Sequence, residues 1–175
     1  MVSNSKMQRR ELFSFLSSSI KGEGKKAKEI ILRPPYYEDI SLFHKECTKC
    51  DAPCITVCEE DIIKIASDKT PYLNFLHSGC TYCDECAIAC PHGVLKLSYK
   101  KVIDADVIIN KSKCISWEGV MCFSCKDPCL EDAIEFKAMF MPSIDINKCT
   151  ACGFCIGRCP TYAIEIQEKK EKDVL

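Results

Sequence analysis

The chain has 175 residues and a formal net charge of −1, a length that suits one ordinary domain or two small ones. Its 47% hydrophobic content counts 16 cysteines, and one Trp with eight Phe is thin material for a conventional core, so something besides side-chain burial has to help hold it together. Charge is graded, with eight Lys/Arg against three Glu in residues 1–33, and no stretch approaches the ~20 apolar residues of a membrane span.

Residues 1–35 read as a basic amphipathic arm and linker, with Leu12, Phe15, Leu16 and Ile20 spaced for one helical face. Arg9-Arg10 followed by Glu, Leu and Phe has the look of a twin-arginine export motif. An export signal also needs an apolar run of roughly 7–15 residues after its charges. Here Leu12 to Ile20 contains four serines and is closed by Lys21, Glu23, Lys25 and Lys26. The expectation is a cytoplasmic protein, in which sixteen cysteines bind metal and do not form eight disulfides. The basic arm suits a protein partner. Aromatic residues do not interleave with its charges, so no nucleic acid is expected. "RPPYY", from Arg33 to Tyr37, reads as extended chain, because a residue before proline avoids the helical region.

Four cysteine groups follow, with first members at 47, 80, 114 and 149, steps of 33, 34 and 35. Unit one, "CTKCDAPCITVC", holds Cys47, Cys50, Cys54 and Cys58. Unit two, "CTYCDECAIAC", holds Cys80, Cys83, Cys86 and Cys90. Unit three, "CISWEGVMCFSCKDPC", holds Cys114, Cys122, Cys125 and Cys129. Unit four, "CTACGFCIGRC", holds Cys149, Cys152, Cys155 and Cys159. Units two and four have the spacing C-x2-C-x2-C-x3-C-P, closed by Pro91 and Pro160. The flanks keep all four in register: an aliphatic or Ala residue stands four positions after each last cysteine, and Ile or Leu five positions after it. "VIINKSKC" before Cys114 also echoes "SIDINKC" before Cys149, so the surplus "ISWEGVM" is a loop inserted into an intact third unit.

The predicted elements are short. "YLNFL", "DVIIN" and "SIDI" read as strands leading into the cysteine loops, and "IIKI", "VLKL", "AIEF" and "AIEI" as strands leaving them. Outgoing and incoming strands joined by Asp, Lys, Pro and Ser predict hairpins, and the residues around each fourth cysteine suit a short helix. The fold class is α+β: tandem bacterial 2[4Fe-4S] ferredoxin-like units built of short hairpins and helices. Residues 36–100 hold units one and two, 101–168 hold units three and four, and 169–175 form a charged tail.

Three cysteines two residues apart wrap a loop around one cubane, and the fourth, displaced by three residues, ligates the other cluster of a pair. Tight wrapping favours a residue tolerant of left-handed backbone after the second cysteine, met by Asp51, Asp84 and Gly153 but not by Phe123. Zinc prefers two separated CxxC pairs to four cysteines within eleven residues. All sixteen cysteines are therefore candidate ligands, for three to four [4Fe-4S] clusters. The range reflects unit one, with its extra Pro53 and Glu59 in place of the closing proline, and unit three, with its loop and Leu130. Pairing between neighbours gives the sets Cys47, Cys50, Cys54 with Cys90; Cys80, Cys83, Cys86 with Cys58; Cys114, Cys122, Cys125 with Cys159; and Cys149, Cys152, Cys155 with Cys129. A nested pairing, first unit with fourth and second with third, satisfies every iron equally. His44, His77 and His92 read as surface residues, since each iron already has a thiolate. Trp117 is either a partner contact or a lid. No phosphate-cradling glycine loop, nucleotide fingerprint or nucleophile–base constellation is present. The chain is not read as an enzyme.

With four cysteine groups, "RPPY" and "CTKCDAPC" early and "CFSCKDPC" after a long gap in the third, the sequence resembles the NapF family. These are the ferredoxin-type accessory proteins of periplasmic nitrate reductase systems. Unit one is a residue longer than that family's spacing. The resemblance implies a cytoplasmic protein that keeps its twin arginines. It would contact the nitrate reductase catalytic subunit before export and support maturation of that enzyme by electron or iron–sulfur supply. The alternative is an electron-transfer subunit or carrier ferredoxin serving another anaerobic redox enzyme.

Overall fold

The computed structural model describes residues 30–169. The amphipathic helix expected on the basic arm lies outside the described residues, as does the charged tail beyond 169. Ten short elements follow in order: α1 Ser41–Glu46, α2 Pro53–Thr56, β1 Ile63–Ile65, β2 Pro71–Leu73, α3 Glu85–Ile88, β3 Ala105–Ile109, β4 Ile134–Lys137, β5 Phe140–Ile144, α4 Phe154–Arg158 and β6 Ile164–Glu168. None of the described helices is long and apolar enough to cross a membrane.

Three antiparallel strand pairs organise these elements. β1 pairs β2, with Ile63 opposite Leu73. β4 pairs β5 through a two-residue loop, Ala138-Met139, and both loop residues take the positive φ that a type I′ hairpin demands. Both hairpins lie where the outgoing and incoming strands of units one–two and three–four were predicted. The third expected hairpin, between "VLKL" and "DVIIN", does not form. β3 pairs instead with β6, Ala105 opposite Glu168 through Ile109 opposite Ile164, so the pairing covers one edge of each strand. "VLKL" is no strand: the Lys96 N–H bonds to the Tyr36 carbonyl at 2.8 Å, and the chain then turns through a 3-10 helix at Leu97–Tyr99.

In the first half the "RPPYY" stretch lies against the core. The Leu32 carbonyl accepts from the Leu73 N–H, and the Pro35 carbonyl accepts from the Lys101 N–H, each at 2.8 Å. Pro34, Pro35 and Tyr36 are fully buried. Arg33 is buried as well; its guanidinium donates to Thr70 Oγ1 at 2.7 Å and to the Pro71 carbonyl, and lies 4.8 Å from the centre of the Phe43 ring. Two prolines lack N–H groups that would need partners in such a place, which suits them to buried extended chain.

The fourfold repeat is visible in the backbone. After each last cysteine the chain makes the same turn: the N–H three residues on donates to the cysteine carbonyl, at Asp61, Gly93, Asp132 and Tyr162. All four of these residues have positive φ, between 45° and 64°. The turn delivers the next two apolar residues into the core. Ile62 and Ile63, Val94 and Leu95, Ala133 and Ile134, and Ala163 and Ile164 are all buried. Apart from Ala133 and Ala163, these residues belong to one continuous hydrophobic cluster that also takes in Cys54, Cys86 and Cys155.

Helix placement departs from expectation. Each helix starts before the third cysteine and stops before the fourth, as α2, α3 and α4 do in units one, two and four. The left-handed residue before it is Ala52, Asp84 or Gly153, always two positions ahead of the third cysteine. In unit one this corrects Asp51 to Ala52. The extra residue sits between the second cysteine and the helix, and Pro53 starts the helix where its missing N–H costs nothing. Unit three makes turns instead of a helix, and Phe123 is not among the positive-φ residues; its ring packs on Phe136 of β4, centroids 4.8 Å apart.

Ile134 is 1% exposed, whereas Leu130 in the same unit is 78% exposed. Ile134→Ala should lower stability by about 2–5 kcal/mol and Leu130→Ala by less than about 0.5 kcal/mol, read as urea midpoints of the anaerobic iron-loaded protein.

Candidate metal centres

In units two and four the residues before the second cysteine, Tyr82 and Ala151, also have positive φ, so these loops carry two left-handed residues each. Such turns are where consecutive residues can aim side chains to a common side, which a helix or strand cannot do.

Four pockets result, and each is lined by four cysteines. Cys47, Cys50, Cys54 and Cys90 line one, beside Ala52, Pro53, Val94 and Leu95. Cys80, Cys83, Cys86 and Cys58 line the second. Cys149, Cys152, Cys155 and Cys129 line the third, and Cys114, Cys122, Cys125 and Cys159 the fourth. Every pocket thus takes three sulfurs from one unit and the last from its sequence neighbour. Neighbour pairing is the arrangement the fold adopts, and nested pairing is not. The pockets are clefts of similar size, about 390, 470, 360 and 340 Å³ in that order with their open mouths included, so the irregular units one and three keep a space like those of the regular units.

All sixteen thiols are free of disulfides. Ligands of one zinc ion would crowd around a single point at about 2.3 Å from each sulfur. Among the described residues no three His, Cys, Asp or Glu side chains gather that tightly. Sulfurs spread around the wall of a larger apolar pocket fit a polynuclear group, whose separate iron atoms each meet one thiolate.

Burial raises several of these thiols. It pushes Cys47, Cys54 and Cys80 up to about 11, and Cys86, Cys125 and Cys155 up to about 12, with the neighbouring sulfurs adding to the effect. Cys159 runs the other way. Burial raises it too, but N–H groups of Ala163, Thr161 and Ile164 and the Thr161 hydroxyl outweigh burial, and it ends below the ordinary thiol value. Backbone N–H groups of Leu95, Ala133 and Ala163 point at the sulfurs of Cys90, Cys129 and Cys159, at 3.4, 3.3 and 3.2 Å. Bonds of this kind stabilise the thiolate and tune a cluster's potential.

The inserted loop of unit three packs beside its pocket. The Trp117 indole N–H donates to the Pro142 carbonyl at 3.2 Å, and Lys111 stacks its ammonium 4.3 Å from the centre of the indole ring. Ile115 of the loop and Pro142 both line the Cys114 pocket. His44, His77 and His92 are exposed, although His92 borders the Cys47 pocket. Sequence reasoning missed Phe75, Gly79, Tyr82 and Gly157, which join the two halves. Nothing local distinguishes them, because their partners lie about seventy residues away.

Residues 142–165 match the 4Fe-4S binding domain family. The ferredoxin-type protein NapF of Escherichia coli K12 is 34% identical over 76% of this chain and 82% of its own. The chain belongs to the NapF family of ferredoxin-type proteins. It is also similar to the ferredoxin-type protein NapG of Escherichia coli K12, at 28% identity over 77% of this chain and 68% of that protein. The methylamine utilization ferredoxin-type protein MauM of Methylophilus methylotrophus is 30% identical over 74% of this chain and 66% of its own. Family and pocket chemistry agree on an iron–sulfur, ferredoxin-type protein that binds 4Fe-4S groups and transfers electrons.

A thiol held neutral near pH 7 must lose its proton to bind metal, so loading releases protons and improves as pH rises toward the raised thiol values. Reconstitution of the NapF-family chain with ferrous iron and sulfide should therefore be fuller at about pH 9 than at about pH 7, read as visible charge-transfer absorbance. A yield independent of pH would contradict this.

Proposed function

We propose that this chain is a cytoplasmic accessory protein that carries four [4Fe-4S] clusters and assists the catalytic subunit of a periplasmic nitrate reductase before export. The observation that carries the reading is the set of four equivalent pockets, each with four thiols. Cys47, Cys50, Cys54 and Cys90 would hold one cluster; Cys58, Cys80, Cys83 and Cys86 a second; Cys114, Cys122, Cys125 and Cys159 a third; and Cys129, Cys149, Cys152 and Cys155 a fourth. Residues 36–100 and 101–168 then act as tandem two-cluster units. When bound, such clusters supply one-electron exchange and, if labile, iron and sulfide. The chain's own residues bind the group through sulfur, shield it with apolar walls and aim N–H groups at three of the sulfurs.

Similarity along most of the chain to NapF supports the partner, since that family serves periplasmic nitrate reductase systems. The basic arm offers the docking charge. The partners are thus the nitrate reductase catalytic subunit or a related redox enzyme, with neither nucleic acid nor membrane span involved.

Loaded protein mixed anaerobically with the leader-bearing, cluster-free catalytic subunit should form a complex and raise that subunit's iron content or its reduction rate. Neither binding nor gain would sink the proposal. Rapid reversible exchange with an unrelated redox enzyme, in the absence of binding to the precursor, would favour the carrier reading instead.

A further inference from the structure

Two of the four pockets, those of Cys58, Cys80, Cys83, Cys86 and of Cys129, Cys149, Cys152, Cys155, meet across the boundary between the halves. The Cys80 N–H donates to the Cys152 carbonyl at 2.7 Å, so one lining cysteine of each inner pocket is directly hydrogen-bonded to the other. Tyr82, two residues on, donates its hydroxyl to the Thr150 carbonyl at 2.5 Å and accepts the Ile103 N–H at 3.2 Å.

Glycines permit this approach. A Cβ on Gly79 would stand 2.5 Å from the Phe154 nitrogen and 2.7 Å from the Cys152 carbonyl oxygen. One on Gly157 would stand 2.5 Å from the Leu76 carbonyl oxygen. One on Gly153 would enter the Phe75 ring. The equivalent of Gly153 in unit two is Asp84, also left-handed at φ 71°. Backbone conformation alone therefore does not require glycine at 153; the Phe75 contact does. Neither Gly79 nor Gly157 has positive φ, so close backbone approach is the only structural demand on them.

We propose that the junction of residues 75–82 with 150–157 is an electronic link between the halves, with Gly79 and Gly157 as the positioning residues that set its spacing. This rests on the cluster reading above and extends it: the chain would work as one four-centre conductor and not as two independent ferredoxins. Electronic coupling falls steeply with separation, and a bridge of covalent bonds and one short hydrogen bond carries it better than a van der Waals gap. Filling the inner sites with one electron each needs a low-potential one-electron donor. Dithionite serves: each one takes up two waters and gives two bisulfite ions, two protons released to the buffer and two electrons, so a single dithionite reduces both inner sites.

The test is electron paramagnetic resonance of the full chain, fully reduced with dithionite, with iron measured on each sample. The parent protein should show broadened, split signals from interacting spins. Gly79→Ala and Gly157→Ala should keep their iron and visible spectrum but lose the part of the splitting that crosses the junction. Gly119→Asn, at an open left-handed position, should change nothing. Iron-replete glycine variants with unchanged splitting would overturn the proposal. Should they lose iron, Tyr82→Phe decides: weakened splitting at full iron content supports the link, and unchanged splitting makes the junction a packing contact only. A parent protein without iron would instead defeat the underlying cluster reading.

Discussion

Each of the four cysteine pockets draws three sulfurs from one stretch of chain and the last from a neighbouring stretch roughly 20 to 45 residues away. That division is what makes the fold. A single cysteine unit cannot complete its own pocket, so units one and two must interlock, as must three and four. The hairpins β1–β2 and β4–β5 are the short connections that allow it. The buried residue pairs after each fourth cysteine, from Ile62-Ile63 to Ala163-Ile164, pack beneath the loops once the sulfurs are in position. With so few large side chains, the core is thin, and groups bound by the thiols contribute what burial alone does not.

The two irregular units show how far the pattern bends without breaking. Unit one absorbs its extra residue between Cys50 and the helix, where Ala52 takes over the left-handed position and Pro53 begins α2. Unit three has seven residues between its first two cysteines where the regular units have two, and Trp117 ties the excess to Pro142 beside the pocket. In both cases the turn after the last cysteine is unchanged, with Asp61 and Asp132 at positive φ as Gly93 and Tyr162 are. The constant part of the repeat is therefore the exit from the loop, and the tolerant part is the way in.

Much of this architecture is legible in the amino-acid sequence. Cysteine spacing marks the ligand-bearing loops, and the flanking apolar pairs mark their register, because both signals are local and repeated. The features that escape are non-local or depend on fine backbone geometry. "VLKL" has a strand's composition, yet its Lys96 N–H is claimed by Tyr36, sixty residues earlier in the chain. The pairing of β3 with β6 cannot be inferred from residue types, since hairpin and end-to-end pairings satisfy the same alternation. Neighbour and nested groupings are indistinguishable in sequence for the same reason: each provides four thiols per site. Gly79 and Gly157 have the local setting of ordinary loop and helix residues, and only their neighbours across the junction set them apart.

Iron and acid-labile sulfide measured per chain after anaerobic purification test the central claim most directly. About sixteen of each, with few titratable free thiols, is the result expected if all four pockets hold a cubane. Zinc without sulfide, or a colourless folded protein with its cysteines joined to one another, would contradict the account.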